Sequence, residues 1–325
     1  MSALLEVSGL STVYHTPEGP VRAVDGVDLA VGQGEILGVV GESGSGKTTL
    51  VISLMRLIKP PGQILEASEV LLDGEDLFRL PRSEMASRRG RDLALIPQSA
   101  MHALNPVIQV DRQVAEAITA HDGAVDSRAA LRTARERLQE VGIPPERCHA
   151  YPHELSGGMR QRCVIAMAVA NEPKLVIADE PVSGLDVIVQ ARIMRLISDL
   201  KESRGLSMIL VSHDLPMVAR ICDRIAVMYA GRIVEVGEAR TVFKNPLHPY
   251  TRALVQAIPR VHDPRQTLRS IPGHPPDLNR LPPGCNFEPR CPAAFADCQG
   301  VDPSLEEVRS GRKVACLLYH KDERK

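Results

Sequence analysis

Apolar positions along this chain follow two rhythms. Short continuous apolar runs end in glycine or polar residues: Glu35 to Gly41, Lys174 to Asp179 and Ser207 to Ser212. Runs of that length and ending fit parallel strands covered on both faces, with ligands meeting their carboxyl ends. Between them the period lengthens, and Val189, Ile193, Leu196, Ile197 and Leu200 share one helix face. A predominantly helical stretch is expected from about 115 to 170, broken around Gly142–Pro152. Alternation of this kind over residues 1–255 predicts an α/β domain. The pattern then changes: ten of the 25 prolines lie between Pro259 and Pro303. Long helices are ruled out there, and an irregular tail is expected beyond a boundary near residue 260.

Charge and composition narrow the function. The 325 residues carry 39 basic and 40 acidic side chains, a formal net charge of -1. That balance removes the basic excess of a general nucleic-acid binder, and 3% aromatic residues with no Trp leave little for base stacking. No run approaches the roughly 18–20 apolar residues of a spanning helix. The first residues, Met1 to Val7, do not read as a secretory signal. The expectation is a soluble chain that reaches a membrane only through a partner. Seven cysteines in such a chain suit a reducing compartment rather than a disulfide framework.

Chemistry first appears at Gly41-Glu-Ser-Gly-Ser-Gly-Lys47-Thr48-Thr49, which fits G-x-x-x-x-G-K-[ST] after a strand and before a helical pattern carried by Leu50, Leu54, Leu57 and Ile58. Gly41, Ser43, Gly44, Ser45 and Gly46 would turn backbone N–H groups around a phosphate. The helix N-terminus adds favourable partial charge. Lys47 would reach the β- and γ-phosphates of ATP, and the Thr48 hydroxyl would bind Mg²⁺, with Thr49 beside it. Asp179 and Glu180 end the second apolar run: Asp179 would hold Mg²⁺ through water, and Glu180 would accept a proton from an attacking water. An adjacent Asp-Glu pair is more often a solvated turn, but the buried-strand setting and the phosphate loop favour a nucleotide hydrolase.

The segment Leu155-Ser156-Gly157-Gly158-Met-Arg-Gln-Arg162 resembles the signature motif of ABC ATPases. In that family the signature of one subunit closes over the γ-phosphate held by the other, sandwiching two nucleotides. The resemblance implies further roles in chain order. Tyr14 stacks on adenine, Gln98 senses Mg²⁺ and faces the membrane subunits, Asp186 belongs to the D-loop, and His213 contacts the γ-phosphate. Each of these would pass alone as an ordinary structural residue; order and spacing carry them. Leu104-Asn-Pro106, Tyr151-Pro-His-Glu154 and Asn245-Pro-Leu-His-Pro-Tyr-Thr251 are similar to the subfamily importing dipeptides, oligopeptides and nickel. The segment after Gln98, Ser-Ala-Met-His-Ala, departs from the Asp-Pro-Met-Thr-Ser of many members, on the surface expected to meet the membrane partner.

Cys285, Cys291, Cys298 and Cys316 gather in the proline-rich tail. Four thiolates suit zinc or an iron–sulfur cluster, and four reduced packing thiols are the third reading. Gly284-Cys-Asn-Phe-Glu-Pro-Arg-Cys-Pro292 resembles the extension of the oligopeptide/dipeptide subfamily, which can bind a [4Fe–4S] cluster.

The expected architecture is therefore an α/β P-loop cassette of the ABC type over 1–258, with a helical subdomain at about 99–170. A small cysteine-containing extension occupies 259–325. The resemblance implies an ATPase that powers peptide import from the cytoplasmic face of the cell membrane. It would pair with a second ABC ATPase, a heterodimer being favoured, and with two transmembrane permease subunits. An extracytoplasmic binding protein would be met only indirectly, and no nucleic acid is expected. Nickel or oligosaccharide import is the alternative cargo, and a soluble non-transport ABC ATPase the alternative class.

Overall fold

The computed structural model describes residues 3–98, 103–121, 126–258 and 271–319. They divide into two compact units. One takes the described residues within 1–4, 31–36 and 79–211; the other takes those within 5–30, 37–78 and 212–325. The first is called here the helical unit and the second the phosphate-loop unit.

The phosphate-loop unit opens with two long strands, β1 (Ala3–Thr16) and β2 (Gly19–Gly32), then the fully buried β3 (Ile36–Val40). Helix α1 (Lys47–Leu54) follows, then the short strands β4 (Gly62–Ile64), β5 (Glu69–Leu72) and β6 (Glu75–Asp76). Strand β1 pairs antiparallel with β5, setting Leu5 opposite Leu72 and Val7 opposite Val70. All four side chains are buried, so the alternation of β1 is that of a sheet with one face in the core. The helical pattern expected through Leu57 and Ile58 stops earlier, at Leu54. Arg56 adopts φ +48 and Leu57 is exposed, and Lys59-Pro60-Pro61 follows, which no helix could enter without losing N–H donors.

The helical unit contains α2 (Arg82–Arg88), β7 (Leu93–Ile96), α3 (Val110–Thr119), α4 (Ser127–Glu140), α5 (Gly157–Val169), β8 (Leu175–Asp179), α6 (Val187–Arg204) and β9 (Ser207–Ser212). Strands β7, β8 and β9 run parallel, with Leu93 beside Leu175 and Asp179 beside Val211. The helical stretch thus begins near 110 rather than 115. Its break is Val141 to Ser156, where Pro144, Pro145 and Pro152 permit only 3₁₀ turns. Helix α6 is delimited by its own sequence: the Asp186 carboxylate accepts from Val189 N–H at 2.9 Å, and Gly205 closes the far end at φ +63.

The chain then continues in the phosphate-loop unit with α7 (Leu215–Ile221), β10 (Arg224–Tyr229), β11 (Arg232–Glu238), α8 (Ala239–Lys244) and α9 (Pro249–Gln256). Strand β10 lies parallel to β3 and antiparallel to β11. The boundary expected near residue 260 lies outside the described residues. Beyond it the chain is irregular, as the prolines require, apart from 3₁₀ turns and one hairpin, β12 (Glu306–Arg309) and β13 (Arg312–Val314). That hairpin is not a separate body: β13 pairs with β11, Val314 opposite Glu235.

Two buried clusters bind the tail to its unit. Tyr229, Tyr250 and Phe287, each under 3% exposed, meet with ring centroids 4.5–5.4 Å apart. Glu235, fully buried, pairs with Arg312 Nη2 at 2.7 Å and accepts the backbone N–H groups of Leu247 and His248 at 2.9 and 3.0 Å. An isolated buried carboxylate would be costly; two backbone donors and the Arg312 charge compensate it.

Candidate functional site

The loop after β3 encircles its own lysine. Lys47 is 7% exposed, and its ammonium donates to Gly41 O at 2.9 Å, Glu42 O at 2.8 Å and Ser45 Oγ at 3.4 Å. The glycine spacing has a local cause. Gly46 sits at φ +103, and a Cβ there would lie 2.2 Å from Ala23 O; one on Gly41 would lie 2.2 Å from Met228 O. No side chain fits either position, so the loop can close tightly only with glycine. Ser45 is buried, while Ser43, Gly44 and Thr48 are exposed and Thr49 is half-buried, along the rim at the start of α1. Thr12 Oγ1 lies 2.7 Å from Ser53 Oγ, holding α1 to β1.

Tyr14 lies in β1 opposite Gly62, half-buried, with its ring edge over that glycine. His213 follows β9 and is exposed; Ser212 Oγ accepts from Asp214 N–H at 3.0 Å, and Asp214 caps α7 through Met217 N–H at 3.0 Å.

In the helical unit, Asp179 ends β8 at 3% exposure and Glu180 turns the chain at φ +46. A left-handed conformation costs a non-glycine residue roughly 1–2 kcal/mol. Glu180 is held there by donating its N–H to Val211 O at 2.9 Å and accepting Ser183 N–H at 3.1 Å. Strain of this kind at the end of a buried strand marks a side chain whose direction matters. Gln98 Nε2 donates to Glu180 Oε2 at 3.2 Å. The two residues singled out for metal sensing and proton acceptance therefore meet, although 82 positions separate them.

Ser156 caps α5, accepting from Met159 N–H at 3.3 Å, and Gly157 and Gly158 form its first turn. A Cβ on Gly158 would lie 2.6 Å from Val189 Cγ1, so the starts of α5 and α6 pack against each other. The signature residues and Asp186 thus share one surface of the helical unit, beside the exposed Val187 and Ile188.

The four tail cysteines converge. Cys285, Cys291, Cys298 and Cys316 line one cavity of about 10 Å³ beside Phe287 and His248. Burial raises the thiols of Cys285 and Cys291 and pushes Cys316 up to about 11, with the neighbouring cysteines adding to the effect. The soft donors suit a thiophilic metal. The expected [4Fe–4S] cluster, however, finds no support: among the described residues no group of three or more His, Cys, Asp or Glu is arranged to hold a metal ion.

Several residues that matter here were not singled out by the sequence. Glu42 and Arg290, 248 positions apart, form an ion pair, and Glu235 and Arg312 form another across 77. Periodicity carries no signal for pairs at such separations.

Comparison with known proteins agrees with this geometry. A family described as ABC transporter matches residues 24–183, and one described as oligopeptide/dipeptide transporter, C-terminal region, matches 234–298. The oligopeptide transport ATP-binding protein OppD of Escherichia coli is 44% identical over 317 residues, covering 97% of this chain and 93% of its own. The dipeptide transport ATP-binding protein DppD of the same organism is 43% identical over 316 residues, 97% of this chain and 96% of its own. Among solved structures, a dimeric ATP-binding cassette in a post-hydrolysis state with ADP and Pi aligns at a TM-score of 0.64 and 26% identity, over 73% of this chain and 99% of that one.

Proposed function

The chain belongs to the ATP-binding subunits of ABC-type oligopeptide and dipeptide importers, and on that premise we propose how its own residues hydrolyse ATP and for whom. It is the subunit whose ATP turnover powers peptide import. The observation that carries the ATPase reading is the buried Lys47 ammonium ringed by the glycine loop at the start of α1. Loop N–H groups and Lys47 bind the β- and γ-phosphates. Tyr14 stacks on adenine. Oxygens of Thr48, Gln98 and Asp179 are a hard donor set suited to Mg²⁺, which when bound neutralises charge on the phosphates. Glu180 takes the proton of a water as its oxygen bonds to the γ-phosphorus and the bond to the leaving phosphate oxygen breaks. His213 contacts the γ-phosphate.

Ser156, Gly157 and Gly158 serve the nucleotide of a second ATPase subunit, with Asp186 beside them at the same interface. What supports this is their shared surface and its exposed apolar residues Val187 and Ile188. We favour a heterodimer with a similar but distinct ATPase, seated on two transmembrane permeases at the cytoplasmic membrane face; an extracytoplasmic binding protein meets it only indirectly. No helix among the described residues is long and apolar enough to cross a membrane, which suits attachment through permeases. Residues 1–258 form the cassette and 259–325 the extension in this reading. Substituting Ser156→Arg leaves ATP bound in the same chain but blocks closure of the pair. Peptide uptake by the reconstituted transporter should fall to background; uptake at the normal rate would remove the signature from its role.

The four-cysteine set is read as a soft-metal centre, iron–sulfur by resemblance, with zinc the alternative. Its support is the convergence of the four thiols on one cavity. Because burial raises the thiols of Cys285, Cys291 and Cys316, metal binding must release protons and weaken as pH falls. Anaerobically purified chain should contain iron with sulfide, or zinc, near one centre per chain. Neither at that level would leave the cysteines as packing residues.

A further inference from the structure

The residue before Cys291 reaches into the phosphate loop. Arg290 closes a 3₁₀ turn, Glu288–Arg290, and its side chain is only 6% exposed. Its Nη1 and Nη2 donate to Glu42 Oε2 and Oε1 at 2.8 and 3.0 Å, a two-point grip on a carboxylate. The guanidinium cannot swing away, because Nε donates to Pro272 O at 2.8 Å and Nη1 lies 3.4 Å from Tyr229 Oη.

Glu42 is the second residue of the loop and is held by all three of its polar groups. The carboxylate meets Arg290, the N–H donates to Tyr250 Oη at 2.8 Å, and the carbonyl accepts from Lys47 at 2.8 Å. Tyr250 is itself fixed in the buried ring cluster with Tyr229 and Phe287. A peptide pinned at side chain, N–H and C=O has one orientation, and that orientation sets where its carbonyl places the Lys47 ammonium.

We propose that Arg290 is a positioning residue for ATP binding, acting through Glu42 to pre-set the phosphate loop and Lys47. This rests on reading the loop as the phosphate site. The tail is thereby part of the nucleotide-binding apparatus, although none of its residues belongs to a nucleotide motif. Lysine at 290 would keep the charge but lose the fork, since an ammonium is a point donor.

The test is a fluorescent-ATP titration of the full chain carrying Arg290→Met, Arg290→Lys, Glu42→Gln or the Arg290→Met/Glu42→Gln pair, with Lys47→Ala as reference. Arg290→Met and Glu42→Gln should each weaken ATP by about tenfold, the scale of a charge-assisted hydrogen-bonded pair, with Arg290→Lys between them and the unsubstituted chain. The double variant should be no weaker than either single one, because both remove the same link. Glu42→Gln is nearly isosteric and keeps the tail intact, so it separates positioning from loss of fold. Affinities unchanged in the Arg290 and Glu42 variants while Lys47→Ala binds weakly would overturn the proposal alone. Losses that add in the double variant, or that occur only with a matching drop in melting temperature, would also overturn it. Unchanged affinity in Lys47→Ala would instead remove the phosphate-site reading beneath it.

Discussion

Glu180→Gln is expected to lower ATP turnover by about two to four orders of magnitude, the range of a lost general base. Nucleotide binding should stay close to that of the unsubstituted chain. The substitution removes a proton acceptor but preserves size, and the backbone at φ +46 is held by hydrogen bonds to Val211 and Ser183 that do not involve the carboxylate. Gln98 Nε2 now donates to Glu180 Oε2, and the amide oxygen of the new side chain can still accept that bond. The phosphate loop lies elsewhere in the sequence and keeps its own contacts. With its partner ATPase present, the chain should therefore accumulate as an ATP-bound pair, read by size-exclusion chromatography with ATP and Mg²⁺ alongside steady-state hydrolysis. Turnover near that of the unsubstituted chain would remove Glu180 from the chemistry, and with it the interpretation of its strained backbone.

Lys47→Ala acts earlier and on affinity. Losing a charged donor to phosphate should weaken ATP by roughly ten- to a hundredfold. The same change removes the ammonium from Gly41 O and Glu42 O, the carbonyls of two consecutive loop residues. Two carbonyls without that donor favour a relaxed loop, adding preorganisation loss to the lost contact. The apolar face of α1, with Leu50, Val51 and Leu54 each at most 1% exposed, is untouched, so the melting temperature should shift little. Calorimetric titration with ATP separates these effects. An unchanged dissociation constant would mean that this loop does not hold the phosphates.

Much of the fold is visible in the apolar runs because burial on both faces leaves no other reading. Strands β3, β8 and β9 lie within one residue of the runs that announced them, and α6 carries its own start and stop signals in Asp186 and Gly205. Helix α1 was overextended because Leu57 and Ile58 keep its period; Arg56 and the prolines after Lys59 end it through backbone geometry instead. Site residues came through wherever the chemistry sits inside one contiguous motif. Those that act through tertiary pairing did not: Arg290 and Glu42 each sit in a recognised motif, yet neither motif points to the other. The hairpin β12–β13 was hidden for another reason. Glu306, Glu307, Arg309 and Lys313 make it too polar to read as strand, and only its pairing with β11 gives it that form. The cluster expected at the four cysteines rested on their soft donors and on resemblance, and among the described residues no group arranged to hold a metal supports it.

The hairpin has a consequence for solubility. Strand β11 carries Ile233, Val234 and Val236, all buried, and β13 occupies its outer backbone edge. An uncovered apolar edge of that kind templates pairing with other chains. Here the outermost strand is β12, short and lined with Glu306, Glu307 and Arg309, charges that a second strand laid alongside would have to strip of water. A version of the protein cut before residue 306 would retain every nucleotide motif and still present a sticky ribbon to its neighbours, so its failure in solution would be aggregation rather than loss of catalysis.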